Sequence, residues 1–154
     1  MLRTTYESRD SDPTNNLIQS KLRVVNGGAT SVPLAQITLR YWYANETRPS
    51  TQVFQLYSAQ NETTWASIPA SRITSRFVST SRPLADTYLE LGFTSTAGTL
   101  FAAGAVGLDF NVHARNWARY EERNDYSYSS SSARIDWSRV TIYRNGVLVW
   151  GREP

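Results

Sequence analysis

Two stretches of the chain alternate apolar and polar residues with a period of two, and that period dictates strands. In residues 34–43, Ile37, Leu39, Tyr41 and Tyr43 fall on one side, with Thr38, Arg40 and Trp42 on the other. In residues 105–113, Val106, Leu108, Phe110 and Val112 oppose Gly107, Asp109 and Asn111. Successive side chains of an extended chain point to opposite faces, so each run is a strand with one face on a core. Shorter runs at 21–25, 73–78, 87–93, 139–143 and 147–150 add further strands. Asn145-Gly146 divides the last two. A two-residue type I′ turn needs positive φ at both central positions, which this pair tolerates, so it predicts a hairpin. No segment of helical length carries an apolar period of 3.6. Many short strands separated by Gly, Pro, Ser and Asn clusters predict an all-β sandwich of two antiparallel sheets. Residues 47–51, 58–64 and the Ser/Tyr-rich 127–132 read as loops, and Trp137 and Trp150 read as core.

A chain of 154 residues suits one domain, 1–154, around one core. Cysteine is absent, which excludes disulfides, thiolate metal sites and thiol nucleophiles. The first ten residues are too polar for a signal peptide, and no apolar run reaches membrane-spanning length. An exported protein of this kind is therefore expected to carry its signal elsewhere on a larger parent chain. The net charge of +3 comes from fifteen Arg and the single Lys21, scattered among acidic residues. A nucleic-acid groove needs a basic stripe, so neither nucleic acid nor membrane is an expected partner. His113 is the only histidine, no nucleophile-elbow motif is present, and nothing singles out a pair among thirteen acidic residues. The residues give no reason to read an enzyme.

Four blocks carry a resemblance: LAQITLRYWY at 34–43, ADTYLELGFT at 85–94, NWARYEERNDYSY at 116–128 and NGVLVWGREP at 145–154. In this order they resemble the family 3 carbohydrate-binding modules, the cellulose-binding modules of bacterial cellulases and cellulosome scaffolds. The resemblance implies a jelly-roll sandwich and a non-catalytic module that adsorbs to cellulose or a related β-glucan. It also implies an extracellular setting, secreted or at the cell surface, within a larger protein. Such modules meet cellulose with a flat row of side chains on one sheet. Trp117 falls on the family tryptophan, the family arginine reads Asn111, and the family Asp-His pair reads Tyr57-Ser58. Trp65 lies nearest the loop tyrosine of the family, and Asn16 and Ser132 match two polar anchors beside the row. Flat aromatic faces suit the C–H faces of sugar rings.

Two further expectations follow from the resemblance. A structural Ca²⁺ would be held by the Ala44 carbonyl, Glu46, the Glu121 carbonyl, Asn124 and Asp125, an all-oxygen set of the kind that ion prefers. A shallow groove on the opposite sheet would contain Arg40, Trp42, Tyr88 and Tyr126. The alternative function keeps the fold and drops the crystalline-cellulose face, leaving an accessory module docked to a glycoside hydrolase catalytic domain.

Overall fold

The computed structural model describes residues 1–154. Thirteen strands follow one another. They are β1 (Leu2–Ser8), β2 (Ile18–Asn26), β3 (Val32–Pro33), β4 (Ile37–Tyr43), β5 (Gln52–Asn61) and β6 (Ala66–Ser67). Then come β7 (Ile73–Arg82), β8 (Ala85–Phe93), β9 (Thr99–Leu100), β10 (Ala105–Ala114), β11 (Ile135–Asp136), β12 (Val140–Arg144) and β13 (Val147–Trp150). The only helical segments are three short 3₁₀ turns.

One sheet has the order β11-β1-β2-β10-β5-β6 and the other β13-β12-β4-β8-β7; β3 and β9 form a small third pair. Every pairing is antiparallel. This is the all-β sandwich that the period-two runs predict. Inward positions of both sheets merge into one cluster of 25 buried apolar residues. Ile37, Leu39, Tyr41 and Tyr43 supply it from β4; Val106, Leu108, Phe110 and Val112 supply it from β10. Trp137 and Trp150 pack against its rim and stay partly exposed. At the Asn145-Gly146 hairpin both φ values are positive, 50° and 80°, as a type I′ turn requires.

The outer faces of the two sheets differ. On the five-stranded sheet, Trp42 and Tyr88 are buried a second time, with Ala85 beneath and Val78 and Tyr126 alongside. On the six-stranded sheet, the outward residues of β2, β5 and β10 remain at the surface side. The register of β5 on β10 slips once there: Ser58 pairs with Asp109 and Leu56 with Phe110, leaving Tyr57 as the extra residue of a β-bulge. A bulge turns a side chain away from simple alternation. Tyr57 and Ser58 consequently both emerge on the exposed side.

Candidate functional site

Three aromatic side chains stand out from this face: Tyr57 at 52% exposure, Trp65 at 67% and Trp117 at 52%. Both tryptophans sit just past a strand end, on a tight turn. The Trp117 N–H donates to the Ala114 carbonyl at the end of β10 (2.9 Å), and the Trp65 N–H donates to the Asn61 carbonyl at the end of β5 (2.7 Å). Each has φ of 59°, the left-handed region. Bulky residues rarely adopt it, because Cβ crowds the following carbonyl at a cost of about 1–2 kcal/mol. Asn61 pairs with Val106, so the two turns start about eight residues apart along β10, roughly 26 Å. Tyr57 emerges between them.

Beneath the aromatics lies a polar network. The Asn111 amide donates to Tyr57 Oη (2.6 Å) and to Gln55 Oε1 (3.1 Å). Tyr57 Oη also reaches Gln19 Oε1 (3.3 Å). His113 Nδ1 lies 3.1 Å from Asn111 Oδ1, and its ring stacks on Trp117 with centroids 4.0 Å apart and planes 1° apart. Burial pushes the His113 imidazole below its ordinary pKa. Farther along the face, Arg9 pairs with Asp109 (3.5 Å) and Arg23 with Glu62. Trp65 borders a recess of about 350 Å³ shared with Arg3, Arg23, Glu62 and Gly104. An arrangement of exposed rings, neutral amides and internally paired charges can stack on sugar faces and hydrogen-bond hydroxyls. It gathers no nucleophile and base.

The family model described as cellulose binding domain, CBM_3, matches residues 3–151. The chain belongs to this family of carbohydrate-binding modules. It is 36% identical, over 99% of its length, to Beta-mannanase/endoglucanase A of Caldicellulosiruptor saccharolyticus. It is 37% identical, over 97% of its length, to Cellulosomal-scaffolding protein A of Acetivibrio thermocellus. It spans only 11% and 8% of those two proteins. Among solved structures, the family 3a module from the cipA scaffolding of Clostridium thermocellum superposes with a TM-score of 0.89 at 33% identity, covering 98% of this chain and 100% of that one. The family is non-catalytic, which accords with the absence of any enzyme signature in the sequence.

The carbohydrate-binding module keeps some expected row positions at the surface and withdraws others. Tyr57, Ser58, Trp65 and Trp117 are exposed on one sheet face. Asn16 is half-buried beside Asn15, whose carbonyl accepts from Tyr120, at the Trp117 end. Ser132 is exposed next to Ser131, whose carbonyl accepts from Ser8 at the end of β1. Asn111 is 2% exposed, covered by the groups it bonds. Reading residue types missed His113, Gln19 and Gln55. The alternation of β10 carried the signal for His113, two residues beyond Asn111 on the same face.

The groove residues come together, but as a packed layer. Trp42 is 1% exposed, its ring lies 4.7 Å from Tyr88, and its Nε1 donates to Thr141 Oγ1 (3.0 Å). The Arg40 guanidinium rests over Tyr88 (4.5 Å) and Tyr143 (4.2 Å) and donates to Glu90 (3.0 Å). Tyr126 Oη donates to the Arg152 carbonyl (2.7 Å), so the C-terminal residues lie across this layer. An open recess of about 380 Å³ lies beside Tyr126, Arg139 and Arg152.

The calcium expectation is overturned. Nowhere does the structure gather three or more His, Cys, Asp or Glu side chains into a group that could hold a metal ion. Several of the expected residues make bonds within the protein instead. Ala44 turns its N–H toward Asp125 Oδ1 (2.8 Å), and Glu46 Oε1 accepts from the Glu121 N–H (3.0 Å). Glu121 accepts from the Arg123 N–H (3.1 Å) and pairs with its guanidinium, and Asn124 ends the 3₁₀ turn in an exposed position. Backbone N–H groups thus reach Asp125 Oδ1, Glu46 and Glu121, while Asp125 Oδ2 is buried without a partner.

Proposed function

We propose that this module adsorbs to cellulose or a related β-glucan through Trp117, Tyr57 and Trp65, with Ser58, Asn16 and Ser132 as polar anchors. The observation that carries the reading is the pair of exposed indoles held at positive φ on one sheet face. Backbone strain of this kind persists where surroundings enforce it, and it clusters at ligand sites. A glucan surface offers ring faces to such indoles while its hydroxyls stay hydrated. Attached to a catalytic or scaffolding domain outside the cell, the module would raise that domain's local concentration on an insoluble substrate.

The test is co-sedimentation with microcrystalline cellulose. Adsorption should persist at high salt, because stacking rather than ion pairing makes the contact. A protein that remains in the supernatant at micromolar concentration would instead be the accessory form of the fold, docked to a glycoside hydrolase domain. A neutral amide, Asn111, in place of the family's arginine and Tyr57-Ser58 in place of its Asp-His pair are the features that favour that second reading.

A further inference from the structure

We propose that Asn111 and His113 are positioning residues for the binding aromatics: Asn111 anchors both Tyr57 and the His113 ring, and His113 sets the plane of Trp117. This rests on the cellulose reading and deepens it by assigning how the row is held.

The hydrogen-bond inventory of Asn111 carries the argument. A side-chain amide has two N–H donors and one carbonyl acceptor. Both donors are used, on Gln55 Oε1 and Tyr57 Oη. The remaining Oδ1 can only accept, so the group 3.1 Å away on His113 must be Nδ1–H. That bond selects one neutral tautomer and fixes the imidazole ring from its edge. The ring face is then available, and Trp117 covers it in parallel at 4.0 Å. Tyr57 Oη accepts from Asn111 and so keeps its own hydrogen for Gln19 Oε1.

Burial separates holders from contacts. Asn111 is 2% exposed and His113 9%, while Tyr57 and Trp117 are each 52% exposed. The buried pair offers a ligand little surface, and the exposed pair offers about half of each side chain. The two supports are two residues apart on β10, roughly 7 Å along the strand. One amide therefore couples two neighbouring rings. An indole on an unsupported turn would have to be ordered at the moment of binding, and that ordering weakens affinity. Stacking on a ring already fixed by Asn111 removes part of that cost.

The experiment is a double-mutant cycle read by adsorption isotherms on microcrystalline cellulose and, without ligand, by near-ultraviolet circular dichroism. His113→Ala should lower affinity about threefold to tenfold, the range of an aromatic pair. In the Trp117→Ala background the same substitution should change nothing further. His113→Phe, which restores a flat ring but not the Nδ1–H bond to Asn111, should recover only part of the loss. Without ligand, His113→Ala should alter the aromatic dichroism, and the alteration should vanish in Trp117→Phe. If His113→Ala unfolds the protein, His113→Leu fills the volume without a ring and takes its place, with the same outcomes expected. Equal losses with and without Trp117, or no loss at all, would overturn the positioning role while leaving cellulose binding intact. Failure of the unaltered protein to adsorb would overturn the cellulose reading, and the affinity role with it.

Discussion

Trp117 and Trp65 each carry a backbone penalty of about 1–2 kcal/mol at positive φ. Neither recovers it by full burial. Trp117 recovers part through its stack on His113, and Trp65 has only the rim of its recess. Interface tryptophans are often hot spots, where truncation costs roughly 2 kcal/mol or more. Trp117→Ala should therefore cut cellulose adsorption by at least about tenfold with the melting temperature nearly unchanged. Trp65→Ala should act in the same direction more weakly, because no ring supports that indole. A Trp117→Ala protein that binds normally would remove this residue from the site; one that unfolds would make it a structural residue. Trp117 was legible in the sequence from its flanking motif. The part played by His113 was not, because a stack needs the turn at residues 114–117 to fold the indole back over its own strand.

At the scale of elements, the β5 bulge and the β12–β13 hairpin show two grades of legibility. The hairpin follows from Asn145-Gly146, since few residue pairs tolerate two successive positive φ values. Gly146→Val should destabilise the protein by about 1–2 kcal/mol, read as a lower urea midpoint with unchanged slope. The bulge has no such signature: Tyr57 emerges only because β5 must register with β10 on both sides of it. Strands β1 and β5 were also missed. The inward residues of β1 include Thr4, bonded to the Val140 carbonyl, so its alternation is not one of hydrophobicity. On the other sheet, Glu90 joins β8 to its neighbours. Burial alone would raise its carboxyl, but hydrogen bonds from Arg76 (2.7 Å) and Arg40 (3.0 Å) outweigh burial and leave it below the ordinary 4.5. A carboxylate lowered in the folded state stabilises fully above its unfolded value, and that contribution disappears as pH falls through the folded one. Melting temperature should thus fall in acid below 4.5, and Glu90→Gln should flatten this acid limb while lowering stability near neutrality. An acid limb unaltered by Glu90→Gln would show that other carboxylates set it.

For the whole molecule, the two outer faces divide the work. One is closed by Trp42, Tyr88, Arg40 and the C-terminal residues; the other presents the aromatic row. Fusing the module to a glucanase domain should raise hydrolysis of insoluble cellulose and leave the rate on a soluble glucan unchanged, since only local concentration is altered. Equal gains on both substrates, or none on cellulose, would refute a targeting role. The sequence by itself determined the all-β class, the central strands β4 and β10, the closing hairpin and, through four matching blocks, the family. Those properties are written in local periodicity, turn chemistry and motif order, which need no knowledge of what lies across the sandwich. Only the tertiary structure decided that Asn111 is covered, that Trp42 is packed rather than open, and that Asp125 and Glu46 accept backbone N–H groups where a cation was expected. Each of these depends on which atoms a side chain or backbone group meets from a distant segment. Alternation tells which face a residue occupies; whether that face is covered, and by which donors, is settled only when the sheets and loops pack.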